Sequence, residues 1–193
     1  MAHANNSIIT GKLKGSLGKQ IVFREWQGKT IVAKSPKPRT GEPTAAQADR
    51  QEKFLLASRY AKAIMANPDQ SLAQAYANTL RPRQNLYSRA MEDFMSAPVV
   101  KHIDTRNYHG AAGDSIVTRA TDDFRVTGVR VEIFATDGTL LEAGNAVQHL
   151  NGIDWAYTAT QANPGPAGSA TGTTIKAIAS DVPGNEGTLE VIV

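Results

Sequence analysis

Residues Gly18 to Arg39 read GKQIVFREWQGKTIVAKSPKPR, and the pairing of the apolar runs inside this stretch organises the chain. Ile21, Val22 and Phe23 are β-forming, as are Thr30, Ile31 and Val32, and Gln27-Gly28 between them supplies a two-residue turn. That register sets Phe23 opposite Val32 and Arg24 opposite Ile31. It leaves apolar side chains on both faces, charged ones at the tip and Trp26 beside the turn. A two-stranded hairpin alone is marginal in water, so this one is expected to pack on the rest of the chain or on another subunit.

The Gly18-Lys19 pair invites comparison with a phosphate-binding loop, but the spacing fails. Such a loop needs a glycine five positions before the Gly-Lys pair, where this chain has Leu13; Gln20 replaces Ser or Thr, and a strand rather than a helix follows. Upstream, Gly11 and Gly15 alternate with Lys12 and Lys14 in a basic leader that becomes a strand only if it finds a partner edge. Downstream, SPKPRTGEP (residues 35–43) holds three prolines and reads as an extended connector.

Thr44 and Gln47 form a capping-box pattern that starts a helix reaching about Ala66. Phe54, Ala57, Ala61, Ile64 and Met65 recur on one helical stripe, and Asn67-Pro68 ends it. A short helix is expected around Asp69 to Asn78, with Leu72 and Tyr76 on one face. A third helix is expected from Pro82 to about Met95, with Leu86, Tyr87, Ala90, Met91 and Phe94 as its apolar side. Beyond Pro98 the period changes to two: Ile116, Thr118 and Ala120 alternate with Val117 and Arg119, and Thr127, Val129, Val131 and Ile133 with Gly128, Arg130 and Glu132. Turns at Asp137-Gly138, Asn151-Gly152 and Pro183-Gly184-Asn185 punctuate these strands, and Thr188 to Val193 closes the chain as another. The fold class is therefore α+β with two modules: an N-terminal hairpin plus about three helices, and a C-terminal antiparallel β-sandwich. The divisions fall at 1–43 for the basic leader and hairpin, 44–97 for the helical segment and 98–193 for the sandwich.

Residues 99–193 resemble bacterial immunoglobulin-like domains. The resemblance rests on DGTLLEAGNA (137–146), Trp155-Ala156-Tyr157-Thr158 and GTTIKAIASDVPGNEGTLEV (172–191). It implies that Ala179, Asp181, Gly184 and Asn185 fill an A-x-D-x-x-G-N segment joining the last two strands by a tight hairpin. The chain as a whole is similar to a family of uncharacterised Bacteroidetes proteins with a Gly/Lys leader, a tryptophan-containing hairpin, a Pro-rich link into T-x-x-Q-x-x-x-R-x-x-F, and a β-rich C-terminal part. Thr44, Gln47 and Phe54 fit the middle motif, whereas Arg50 falls one position early and Gln51 stands in the arginine's place. Both resemblances imply architecture and leave function open.

At 41% hydrophobic and 20% charged, the 193 residues have a globular composition, and with no cysteine a disulfide framework or thiolate metal site is excluded. No secretory signal or membrane span of about 20 apolar residues is visible, so the default expectation is a cytoplasmic protein, or one released by a non-secretory route in an extracellular or virion-like particle. The net charge of +3 hides an asymmetry: residues 1–101 carry 16 Lys+Arg against 7 Asp+Glu, and residues 102–193 carry 5 against 11. Such a chain can attract copies of itself, or hold a polyanion with its basic half.

Chemistry finds little anchor. His102, Asp104 and His109 lie close in sequence, but no HExxH frames them as a zinc site. Asp122-Asp123, Asp137, Asp154 and Asp181 sit near strand ends, where turn formation explains them more simply than calcium. No serine stands in a G-x-S-x-G elbow. The expectation is a non-enzymatic protein without catalytic residues, metal, cofactor or small-molecule substrate.

The favoured function is a self-assembling, homo-oligomeric subunit of a filament, tube or virion-like particle. Its subunit contacts are expected at Ile21, Val22, Phe23, Trp26, Ile31 and Val32, by strand addition and charge matching. A first alternative is nucleic-acid binding through Lys12, Lys14, Lys19, Arg24, Lys29, Lys34, Lys37 and Arg39, with Phe23 and Trp26 for stacking. A second is an adhesion or glycan-binding immunoglobulin-like module with Trp155 and Tyr157 as platform, although two residues sharing one strand face belong more simply to a core.

Overall fold

The computed structural model describes residues 2–4, 13–37, 41–163 and 170–193, the first three by backbone alone. The chain divides into two compact units, residues 1–44 and 45–193.

The first unit is a four-stranded antiparallel sheet of β1 (Ala2–Ala4), β2 (Gly15–Leu17), β3 (Ile21–Trp26) and β4 (Lys29–Lys34), in the order β1-β4-β3-β2. The β3–β4 register sets Phe23 against Val32 and Arg24 against Ile31, as the turn position predicts. Gln27 (φ 55°) and Gly28 (φ 75°) are both left-handed, the requirement of a two-residue hairpin loop whose twist matches its strands. The Gly18-Lys19 pair lies in a loop one residue longer, residues 18–20, between the paired Leu17 and Ile21. Gly18 and Lys19 both have positive φ, and the Gln20 amide donates to the Leu17 carbonyl at 3.1 Å. Leader segments thus flank the hairpin on both sides, and β3 and β4 become interior strands.

In the second unit, α1 (Ala45–Ala66), α2 (Ser71–Ala77) and α3 (Leu86–Met95) precede the sandwich. Ala57, Ala61 and Ile64 of α1, Ala73 and Tyr76 of α2, and Ala90 and Met91 of α3 form one buried cluster. Fully buried alanines at positions 57, 61 and 90 let the helices approach closely. Phe54 and Met65, expected on the buried stripe of α1, stand 58% and 50% exposed, because the side of the helix that meets its neighbours is the one carrying Ala57, Ser58, Tyr60, Ala61 and Ile64. The third helix starts at Leu86 rather than at Pro82. Arg83 is left-handed (φ 69°), and Asn85 provides the cap: its Oδ1 accepts the Ser88 amide at 2.8 Å while the Ser88 hydroxyl meets the Asn85 amide at 3.3 Å.

The sandwich consists of β5 (Val99–Asp104), β6 (Ser115–Thr121), β7 (Val126–Phe134), β8 (Leu140–Asn145), β9 (Val147–Gln148), β10 (Asp154–Thr158), β11 (Thr174–Asp181) and β12 (Glu186–Ile192). Its sheets run β5-β6-β10-β9 and β12-β11-β7-β8. Taking these strands as A, B, C, C′, D, E, F and G in chain order gives an A-B-E-D sheet facing a G-F-C-C′ sheet, the immunoglobulin-like arrangement. Ile116, Ala120, Val129, Val131, Ile133, Trp155, Tyr157, Ile175, Ala177 and Ala179 alternate into a single core, which takes over the role the disulfide has in antibody domains. Thr127 breaks the alternation. The ladder between β7 and β11 shifts register between Ser180 and Asp181, and the Thr127 hydroxyl turns out to donate to their carbonyl oxygens at 3.1 and 3.0 Å. A one-residue bulge exchanges faces, so Val126 packs on the core instead.

Candidate functional site

Period two assigns the side chains of the N-terminal sheet to its faces. Val22, Arg24 and Trp26 of β3 share one face with Lys29, Ile31 and Ala33 of β4; Leu17, Ile21, Phe23 and Glu25 share the other with Thr30, Val32 and Lys34. Among the described residues of this unit only Thr30 and Ile31 are buried, and the buried apolar clusters described for the chain belong to residues 45–193. Trp26 is 59% and Leu17 64% exposed, and Ile21 is exposed too. The six residues expected at subunit contacts are therefore brought into one sheet but divided between its faces: Val22, Trp26 and Ile31 on one, Ile21, Phe23 and Val32 on the other. With β1 and β2 occupying the flanks of the hairpin, neither β3 nor β4 is an edge strand open to strand addition.

The same register disperses the cations. Arg24 and Lys29 lie on one face and Lys34 on the other, while Lys14 is paired with Glu25 at 2.7 Å. Lys19 sits in its turn, Lys37 follows the sheet, and Lys12 and Arg39 lie outside the described residues. Phe23 and Trp26, the candidate stacking pair, face opposite ways. Trp155 and Tyr157, each 6% exposed, belong to the sandwich core and offer no platform.

Among the described residues, His102, Asp104 and His109 are not brought together as a set of metal ligands. The Asp104 carboxylate is engaged by Arg106 at 2.6 to 3.2 Å, which holds it well below the usual carboxylate range. His109 contributes its backbone amide to Asp114 at 2.7 Å. The strand-end aspartates serve turns or cross-strand pairs. Asp137 accepts the Thr139 amide, and Asp154 pairs with Arg119 at 2.7 and 2.9 Å. Asp181, buried and pushed up by desolvation, accepts the Asn185 amide at 2.6 Å. This last contact closes the A-x-D-x-x-G-N hairpin, with Gly184 left-handed at φ 91°.

A polar cluster that the sequence does not announce lies where the helices meet the sandwich. Asp93 of α3 is completely buried; its Oδ2 accepts the Tyr76 hydroxyl at 2.5 Å, and Tyr76 meets the Tyr60 hydroxyl at 2.8 Å. Arg89, 1% exposed, donates from Nη2 to the Asp123 carbonyl at 2.6 Å and from Nε to the Thr79 hydroxyl at 3.2 Å, with Nη1 3.4 Å from Asp123 Oδ2. The Phe124 ring stacks on Tyr76 at 4.1 Å and lies 5.5 Å beneath the Arg89 guanidinium. Burial, and then the facing Asp123 and Asp122 carboxylates, push Asp93 up to about 7 against the hydrogen bond from Tyr76.

No protein-family model matches the chain, and no curated protein matches it. Among solved structures it is similar to an engineered protein, at 24% identity over 49% of this chain and 18% of that one, with a TM-score of 0.31. It is also similar to a conjugative transposon lipoprotein from Bacteroides eggerthii, at 11% identity over 49% of this chain and 92% of that one, with a TM-score of 0.24. The chain thus spans less than a fifth of the length of the engineered protein.

Proposed function

We propose that the protein is a non-enzymatic structural subunit that associates with further copies of itself through its N-terminal sheet, building a filament, tube or virion-like particle. The observation that carries this reading is the four-stranded sheet, in which β2, β3 and β4 place apolar side chains on both faces and only Thr30 and Ile31 are buried among the described side chains. Short strands with so little burial among the described side chains gain little from their own packing, which favours a covering surface. Charge supports a second copy as the partner. Residues 1–44 carry 8 Lys+Arg against 2 Asp+Glu, while residues 102–193 carry 5 against 11, so the basic sheet of one subunit is attracted by the acidic sandwich of the next. A repeating head-to-tail contact of this kind gives a ring or an open filament, according to whether the rotation closes.

Light scattering combined with negative-stain microscopy of the full chain tests the reading. The expected result is a defined oligomer or filament that Trp26→Glu with Leu17→Glu converts to monomer while the sandwich stays folded. A double variant that assembles as the parent does would refute the contact.

A further inference from the structure

We propose that Asp93, Asp122 and Asp123 form a binding site for a hard divalent cation of the calcium class, at the junction of α3 with the turn between β6 and β7.

The three residues present carboxylate oxygens that all lie within 4.8 Å of one another. Calcium binds oxygen at about 2.3–2.6 Å, so oxygens on one ion stand up to roughly 5 Å apart, which accommodates this spacing. Acidic residues gather on many surfaces without an ion. Here a second feature points into the cluster: Asp93 is wholly buried, yet its Oδ1 has no hydrogen-bond partner, and Oδ1 of Asp122 is likewise buried without one. In each carboxylate the other oxygen is hydrogen-bonded, Asp93 Oδ2 by the Tyr76 hydroxyl at 2.5 Å and Asp122 Oδ2 by the Phe124 and Arg125 amides at 2.9 Å each. Those bonds fix both side chains and leave one bare oxygen apiece. An unpaired buried carboxylate oxygen is costly unless a proton or a cation meets it.

Charge and access agree with a divalent ion. Of the three carboxylates Arg89 pairs with Asp123 alone, at 3.4 Å, and it also lies 3.7 Å from Glu92, so the cluster carries more negative charge than this buried cation offsets. Asp123 is exposed and Asp122 half-buried, so an ion has a route in and room to keep water ligands on its outer side. Tyr76 of α2 connects the two contributing elements, donating its hydroxyl to Asp93 of α3 and stacking on Phe124 of the turn at 4.1 Å.

Titration calorimetry of the chelator-treated full chain with calcium chloride, alongside tyrosine-sensitised terbium luminescence, tests the site. Tyr76 bonds directly to Asp93, so terbium bound here is excited through it. The expected result is one saturable site per chain, a rise in thermal midpoint with calcium, and about a tenfold or greater loss of affinity in both Asp93→Asn and Asp123→Asn, with Asp137→Asn unchanged. Asp123→Asn alters a side chain that is 24% exposed, where Asp93 is wholly buried, and keeps the test valid if Asp93→Asn does not fold. The proposal is overturned by absence of saturable calcium binding, or by binding and terbium emission that Asp123→Asn leaves intact.

Discussion

The side-chain Nδ2 of Asn185, in the turn before the last strand, lies 3.1 Å from the carbonyl oxygen of Ser96, the residue that ends α3. The same nitrogen approaches the carbonyls of Phe94 and Asp93 at 3.2 and 3.5 Å and is held by Asp181 Oδ2 at 2.7 Å. The last carbonyls of a helix have no partner within it, and here the final hairpin of the sandwich supplies one. Asn185→Ala is expected to lower unfolding free energy by about 1–3 kcal/mol in urea denaturation, because carbonyls and the buried Asp181 carboxylate lose a donor together. Asn185→Asp is expected to be worse, since it sets a second carboxylate against Asp181.

Gly187 stands where the edge of one sheet closes on the start of the other. A Cβ there would sit 1.8 Å from the Pro98 carbonyl oxygen, a backbone atom that cannot swing aside. Gly187→Ala is expected to cost at least about 1–3 kcal/mol, read by the same denaturation, whereas Gly128→Ala, with open space around its Cβ, is expected to be near neutral.

Asp154 is held down to about 2, chiefly by Arg119 and then by Asn151. A carboxylate whose folded-state pKa is depressed stabilises the fold above its unfolded value and loses that contribution as pH falls through the folded one. Thermal midpoints measured from pH 5 to pH 2 are therefore expected to fall more steeply for the parent than for Asp154→Asn, the curves converging toward about pH 2. The pair is largely solvent-facing on its arginine side, so the difference is expected to be small and to shrink with salt.

Reversing the charge of the sheet separates electrostatic attraction from apolar contact. Lys29→Glu combined with Lys34→Glu is expected to slow association and remove most of its salt dependence, measured by stopped-flow light scattering, with a smaller effect on dissociation. Salt-dependent binding to DNA or RNA that vanishes with Lys29→Ala, Lys34→Ala and Lys37→Ala would instead favour the polyanion reading.

Local chemistry decided how much the sequence discloses. The Gln27-Gly28 turn fixes the register of β3 and β4, and alternation from Ile116 to Ile133 exposes the sandwich, because each rests on neighbouring residues. The strands flanking the hairpin lack such a pattern: Gly15–Leu17 becomes a strand only by pairing with Ile21–Phe23. The Thr127 bulge is set by its partner strand, and the exposure of Phe54 by which side of α1 meets its neighbours. The carboxylate cluster joins residues about thirty positions apart in different elements. Its one local sign is the Asp122-Asp123 doublet at a strand end, which turn formation explains equally well.

The central claim is that an exposed, two-faced N-terminal sheet drives self-association. Sedimentation velocity of the full chain across a wide concentration range, beside a chain lacking residues 1–39, tests it most directly. The account predicts species larger than a monomer that grow with concentration in the full chain and are absent from the truncated one. A full chain that sediments as a monomer throughout, or a truncated chain that assembles equally well, would contradict it.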